Sequence, residues 1–223
     1  MLDDSALSAI WLTVRLATVT TLLLFLIGTP IAWWLARTRC WLKAPVGAMV
    51  ALPLVLPPTV IGYYLLVVIG KRGWLGQWLY DSFGITLIFT WQGAVIAATV
   101  VAFPLVLSSA RTAFEAVEPQ LEQAARVLGL NEWAVFFRVT VPMAWPGIMA
   151  GALLVFARSL GEFGATLMVA GSIPGRTQTL SVAVYEAVQA GDDAVAHKLV
   201  VIISVTCIVM LLVAGRLAPS KRH

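Results

Sequence analysis

The chain has 223 residues, 60% of them hydrophobic and only 12% charged, with a mean hydropathy of +0.91. A soluble domain carries about 25% charged residues, so the composition points away from a soluble enzyme and toward several membrane spans with little else. The net charge of +4 is too modest for a nucleic-acid footprint and reads as an orientation signal.

Residues 1–15 open with Asp3 and Asp4, whereas a secretory leader needs a positive start. The uncharged run 16–36 is long enough to cross a hydrocarbon core of about 30 Å and is expected to be a retained first span, interrupted by Gly28 and Pro30. Arg37, Arg39 and Lys43 follow with no acid among them, a cytoplasmic marker that puts the N-terminus outside.

Residues 44–70 are uncharged and contain Pro45, Pro53, Pro57 and Pro58. Each proline removes a donor and crowds the preceding turn, so one regular helix is not expected. Irregular backbone at membrane depth belongs against protein or a wet cavity. Pro57, Pro58, Thr59 and Gly62 are therefore candidates for a pathway-lining bend, with a purely structural kink as the alternative. Residues 71–81 read as an external loop with interfacial Trp74 and Trp78, and 82–110 as the next span.

Charges return over 111–138. From Pro119, the residues Leu121, Ala124, Ala125 and Leu128 fall on one helical face. Pro119 suits a first helical position and Gly129 a C-terminal cap. Asn131 suits the N-cap of a second short helix, so the segment is expected to form a compact knob of two helices whose exposed apolar stripe, Leu121, Ala125 and Leu128, can seat in a partner's groove. A helix lying on the membrane surface is the alternative.

A fourth span, 139–160, is uncharged up to Arg158 near its end, with Glu162 four residues on. At membrane depth such a pair should bond or face a cavity. Residues 172–198 read as external, and 199–215 as a short fifth span.

The segments assigned inside hold nine Lys and Arg and a net charge of +5; those outside hold six and a net charge of −1. The bias puts the 111–138 loop and the C-terminus in the cytoplasm. Cys40 and Cys207 fit neither a metal site nor a disulfide framework, and His197 and His223 are too few for a metal cluster. No phosphate-binding loop, His-Glu-x-x-His, Cys-x-x-Cys or Gly-x-Ser-x-Gly occurs. The expected reading is a single all-α membrane domain that is not itself catalytic and binds no cofactor. Its energy would arrive from elsewhere, through the 111–138 loop. A stand-alone secondary anion carrier and a membrane enzyme or assembly factor are the rival classes.

Gln123-Ala124-Ala125, Gly129, Val139 and Pro142 resemble the cytoplasmic coupling loop of binding-protein-dependent ABC importer permeases of type I architecture. That family usually has Glu where this chain has Gln123, and Glu122 stands one position early. Leu52–Gly62, Ala157–Met168 and Gly171–Leu180, with Thr29–Arg37 ahead of them, resemble the molybdate/sulfate branch, with Ile173-Pro174-Gly175-Arg176-Thr177-Gln178-Thr179-Leu180 nearer its molybdate members. Sulfate and thiosulfate permeases typically carry a further N-terminal span, which this chain is expected to lack, along with any regulatory domain.

The resemblance implies a homodimer in the bacterial inner membrane, surrounded by lipid. Two ATPase subunits would bind ATP and Mg, and a periplasmic oxyanion-binding protein would deliver the substrate; no nucleic acid is involved. Molybdate is the implied substrate, with sulfate, thiosulfate or tungstate as alternatives. It also implies coupling roles for Glu122, Gln123, Ala124, Ala125, Gly129 and Pro142. On this picture Gly129→Pro or Ala125→Glu would uncouple hydrolysis from transport. For the pathway, the sequence offers Arg158, Ser159, Glu162, Phe163, Gly164 and Thr166 beside the proline bend. A tetrahedral dianion is best held by neutral donors and an occasional cation, which singles out Thr59, Ser159, Thr166 and Arg158.

Overall fold

The computed structural model describes residues 4–38, 41 and 43–217, and these are helical or irregular, with no strand among them. Cys40, Arg39 and the terminal Lys221, Arg222 and His223 lie outside the described residues.

Helix α1 (Asp4–Arg37) starts well before the uncharged run and continues through Gly28 and Pro30. Its early turns are held by packing. Ala9 is buried with Leu180, Ala187 and Leu199. The Thr13 hydroxyl donates to the Ala9 carbonyl at 2.7 Å and accepts from the Leu180 amide at 2.9 Å. At 34 residues the helix is roughly 50 Å long. Gly28 marks a close approach, since a Cβ there would lie 2.6 Å from Val106 Cγ1.

The proline-rich stretch divides into α2 (Lys43–Val55) and α3 (Pro58–Ile69), which meet at 114°. The break has a local cause. A residue ahead of proline is disfavoured in helical backbone, and Pro57, itself a proline without a donor and ahead of Pro58, sits at φ −55 and ψ 138. Pro53, with no proline after it, stays within α2.

The segment expected as a loop at 71–81 is helical from Trp74 onward: α4 (Trp74–Phe83) runs from Gly73 to a left-handed Gly84 at φ +66. Residues 84–90 are irregular, so the next long helix begins later than the apolar run. Helix α5 (Trp91–Glu115) is capped by Thr90, whose hydroxyl accepts from the Gly93 amide at 3.1 Å. It carries on past Ala110 with Arg111 and Glu115 paired at 2.9 Å, a spacing that supports a helix outside the membrane.

Beyond α6 (Pro119–Val127), the second short helix of the expected knob is not a separate element. Helix α7 (Glu132–Val135), a π turn (Phe136–Thr140) and α8 (Val141–Leu160) form one continuous rod over Glu132–Leu160. The Asn131 side chain accepts from the Ala134 amide at 2.8 Å and starts it. Pro142, which lacks a donor, falls just after the π turn, where the hydrogen-bond ladder is already shifted, so it interrupts nothing. Three helices follow: α9 (Gly164–Ala170), α10 (Leu180–Gln189) and α11 (Asp193–Leu217).

The core is layered along α1, α5 and α8. Leu16 packs with Ala94 and Ala98, Leu24 with Ala102 and Val106, and Leu35 with Leu107 and Phe114. Helices α1 and α5 therefore run parallel. Helix α8 opposes them: Ala144 joins the Phe114 layer and Val155 the Ala102 layer. Small residues let it approach closely, since a Cβ on Gly147 or Gly151 would press on Ala113 or Ser109. Helices α3 and α9 flank α5 through Ile61, Ala97, Ala165 and Val169. The described residues include four helices long and apolar enough to span a membrane, and five spans if the bent α2–α3 pair counts as one.

Candidate functional site: a helical joint and a glycine crossing

The sequence-derived site residues fall into two groups, placed at opposite ends of α8. At about 1.5 Å per residue, the 29-residue rod over Glu132–Leu160 is roughly 40 Å long.

The first group surrounds α6. Pro119 stands at its first turn, and Glu118, ahead of it, supplies no side-chain cap. The helix closes at Gly129, φ +86, whose amide donates to the Arg126 carbonyl at 2.9 Å, while the Leu130 amide reaches Ala125 at 3.2 Å. Only a residue without a Cβ takes that backbone freely.

The two faces of α6 differ from the expectation. Ala125 is buried against its own chain, so it belongs to no exposed stripe. The outward apolar residues are Leu121, Ala124, Val127 and Leu128, the last two more than 80% exposed. The reason is Glu122, which shares a face with Ala125 and is itself only 6% exposed. Its carboxylate Oε1 accepts from the Arg37 guanidinium on α1 and from the Thr140 hydroxyl at 2.7 Å. Arg126 lies 4.0 Å from Oε2 and makes a two-pronged bond to Glu132, at 2.6 and 3.0 Å. The Glu132 bond holds the Arg126 guanidinium above its already high ordinary pKa.

Two consequences follow. Gln123 is exposed and Glu122 is turned inward, so Glu122 does not replace the missing acid on the outward face. Ala125→Glu would add a second carboxylate one turn from the buried one, damaging the joint itself rather than the outward face. Pro142 is exposed in the first turn of α8.

The second group lies where α3 crosses α9. A Cβ on Gly164 would stand 3.1 Å from Thr59 Cγ2 and 3.3 Å from Pro58 Cβ; one on Gly62 would stand 2.6 Å from Met168 Cβ. The structure thus brings Pro58, Thr59, Gly62 and Gly164 together, with Pro57 exposed at the bend. Arg158 Nη1 bonds Glu162 Oε2 at 2.8 Å, and Glu162 Oε1 accepts from the Ala165 amide at 3.3 Å. The Arg–Glu pair therefore ties the end of α8 to the start of α9. Phe163 packs on Tyr185 at 5.0 Å between ring centroids.

Of the expected donors, Thr166 spends its hydroxyl on the Phe163 carbonyl at 2.9 Å. The buried Ser159 hydroxyl has no partner among the described residues. Those residues also include no group of three or more His, Cys, Asp or Glu able to hold a metal.

The Arg37–Glu122–Thr140 cluster escapes sequence reading because Arg37 serves equally well as an orientation marker and Thr140 sits in an apolar run. The available signal is Glu122 itself, an acid on the same face as Ala125.

Residues 28–223 match the family model described as binding-protein-dependent transport system inner membrane component. The chain belongs to that family. Among permeases of this kind, the molybdenum transport system permease protein ModB of Escherichia coli K12 is 44% identical over 224 residues, covering 100% of this chain and 98% of its own length. The protein of the same name from Azotobacter vinelandii is 48% identical over 199 residues, covering 89% and 88%. The fold is that of the inward-facing MetNI methionine ABC transporter structure, with a TM-score of 0.78 over 98% of both chains at 20% identity.

Proposed function

We propose that this permease is the pore-forming subunit of an ATP-driven importer of molybdate. The observation that carries the reading is the 44% identity to the Escherichia coli molybdenum permease along the whole chain. In this reading two copies enclose the pathway in the bacterial inner membrane, with the N-terminus periplasmic and the C-terminus cytoplasmic. Two ATPase subunits supply the hydrolysis, binding ATP and Mg themselves, and a periplasmic protein presents the oxyanion. This chain performs no chemistry of its own.

The outward residues Leu121, Ala124 and Leu128, with Gln123 between them, form the face offered to the ATPase. Gly129 holds the helix end, and small side chains there let a partner groove close over it. Motion of the ATPase pair then passes along α8 to the crossing of α3 and α9. There Pro57, Pro58, Thr59, Gly62, Ser159 and the Arg158–Glu162 turn bound the pathway with Phe163, Gly164 and Thr166. Rigid-body rotation of the two copies switches access between the two sides.

The test is reconstitution of the chain in vesicles with its ATPase and binding protein. ATP-dependent uptake of labelled molybdate is expected, with weak competition from equal sulfate. Flux through the chain alone, without an ATPase, would overturn the importer reading; strong sulfate competition would overturn the substrate.

A further inference from the structure

Two side-chain pairs, each four residues apart, converge on the carboxylate of Glu122. On α1, Trp33 and Arg37 share a face. Trp33 meets Phe136 of the π turn edge-on at 4.9 Å between centroids, and Arg37 donates to Glu122 Oε1. In the π turn, Phe136 receives Trp33 while Thr140 donates to the same Glu122 oxygen at 2.7 Å. The apolar half of the joint lies alongside: Val117, just ahead of α6, is buried with Ala32 and Leu35 of α1. A cavity of about 300 Å³ opens beside it, lined by Trp33, Arg37, Glu122, Arg126, Phe136 and Thr140 among others.

A buried carboxylate must be paired, and this one is paired to two elements, of which only the π turn is kept near α6 by covalent proximity. Helix α6 leads into α8 through α7, whereas its ionic link to α1 joins residues 85 positions apart. We infer that Glu122 is a positioning residue that locks α6 to the end of α1, so that a push on the outward face of α6 moves α1 and α8 together. Without the lock, α6 still docks, because Leu121, Ala124 and Leu128 point away from it, but its displacement is absorbed in the neighbouring cavity. The inference rests on the coupling reading above and goes beyond it, since it assigns Glu122 to the interior of the permease rather than to the ATPase interface.

The test uses the full transporter in vesicles with two readouts, molybdate uptake and phosphate release. Glu122→Gln keeps the shape and removes the charge. Molybdate moved per ATP hydrolysed is expected to fall about tenfold, with the ATPase still co-purifying. Arg37→Gln should do the same. The double variant should lose no more than either single one, because both remove one interaction. Thr140→Val, a milder change, should lower the ratio less.

An unchanged ratio in Glu122→Gln would overturn the inference, as would additive losses in the double variant. Loss of the ATPase on purification would also overturn it, by making Glu122 a docking residue. If the unaltered complex moves no molybdate, the functional reading fails on its own. The lock is then read from hydrolysis: Glu122→Gln should abolish its stimulation by the binding protein, and stimulation left intact would sink the idea.

Discussion

Gly129 and Gly161 look alike in sequence and differ in what a side chain would cost. A Cβ at either meets no atom within 4 Å, but Gly129 has φ +86, while Gly161, closing α8, has φ −95. Gly129→Ala is expected to cost about 1 kcal/mol through left-handed backbone alone, and Gly161→Ala to stay within about 0.5 kcal/mol. The unfolding midpoint of the detergent-solubilised complex separates them. Equal shifts would mean that the closure of α6 is not set by backbone geometry.

The Arg158–Glu162 pair makes a similar distinction between charge and shape. Glu162 is 2% exposed, and the Arg158 side chain is about a third exposed. Arg158→Leu strands a buried carboxylate and is expected to cost on the order of 3 kcal/mol. Glu162→Gln removes the charge yet keeps an oxygen for the Ala165 amide, and should cost clearly less. Unfolding midpoints in that order support a paired turn; the reverse order would show that the ion pair does not hold α8 to α9.

At the scale of elements, the sequence is most informative where backbone chemistry is local. Consecutive prolines at 57 and 58 mark the break between α2 and α3, Asn131 starts its helix, and Gly129 ends α6. It is least informative about helix ends. Charge-free runs mark what can lie in lipid, whereas helices extend as far as packing and pairing support them. Hence α1 begins at Asp4, held through Thr13 to Leu180, and α5 runs on to Glu115 through its bond to Arg111. The inward face of α6 was hidden for the same reason: Ala124 and Ala125 are chemically equal, and only the tertiary partners of Glu122 decide which is buried.

The prolines permit a direct test of that local logic. Pro58→Ala frees Pro57 from the pre-proline restriction and should let the 114° bend relax, whereas Pro53→Ala, inside α2, should leave it. Spin labels at the exposed positions Ala51 and Tyr64 would report a longer and broader distance distribution in Pro58→Ala only. An unchanged distance would place the cause of the bend in tertiary packing.

For the whole molecule, the arrangement of parallel α1 and α5 against antiparallel α8 fixes which parts share an end. The α6 joint stands with Arg37 and Glu115, and the start of α5 stands with Arg15, whose guanidinium stacks 3.9 Å from the Trp91 ring centre. Arg15 is thereby a second cation near a helix end, and it does not compete with the basic cluster for orientation, because one charge stacked on an aromatic is outweighed by the three at Arg37, Arg39 and Lys43. Orientation is therefore predicted from the joint outward: α6 on the cytoplasmic side and α4 on the periplasmic side. In a variant with Cys40 and Cys207 replaced, a cysteine at exposed Gln77 of α4 should react with a membrane-impermeant maleimide added to cells whose outer membrane alone is opened. A cysteine at exposed Gln123 of α6 should react only after the inner membrane is breached. Labelling in the opposite order would place α6 outside, where no ATPase could reach it, and would end both the proposed coupling role of its outward face and the proposal that the permease is driven from the cytoplasm.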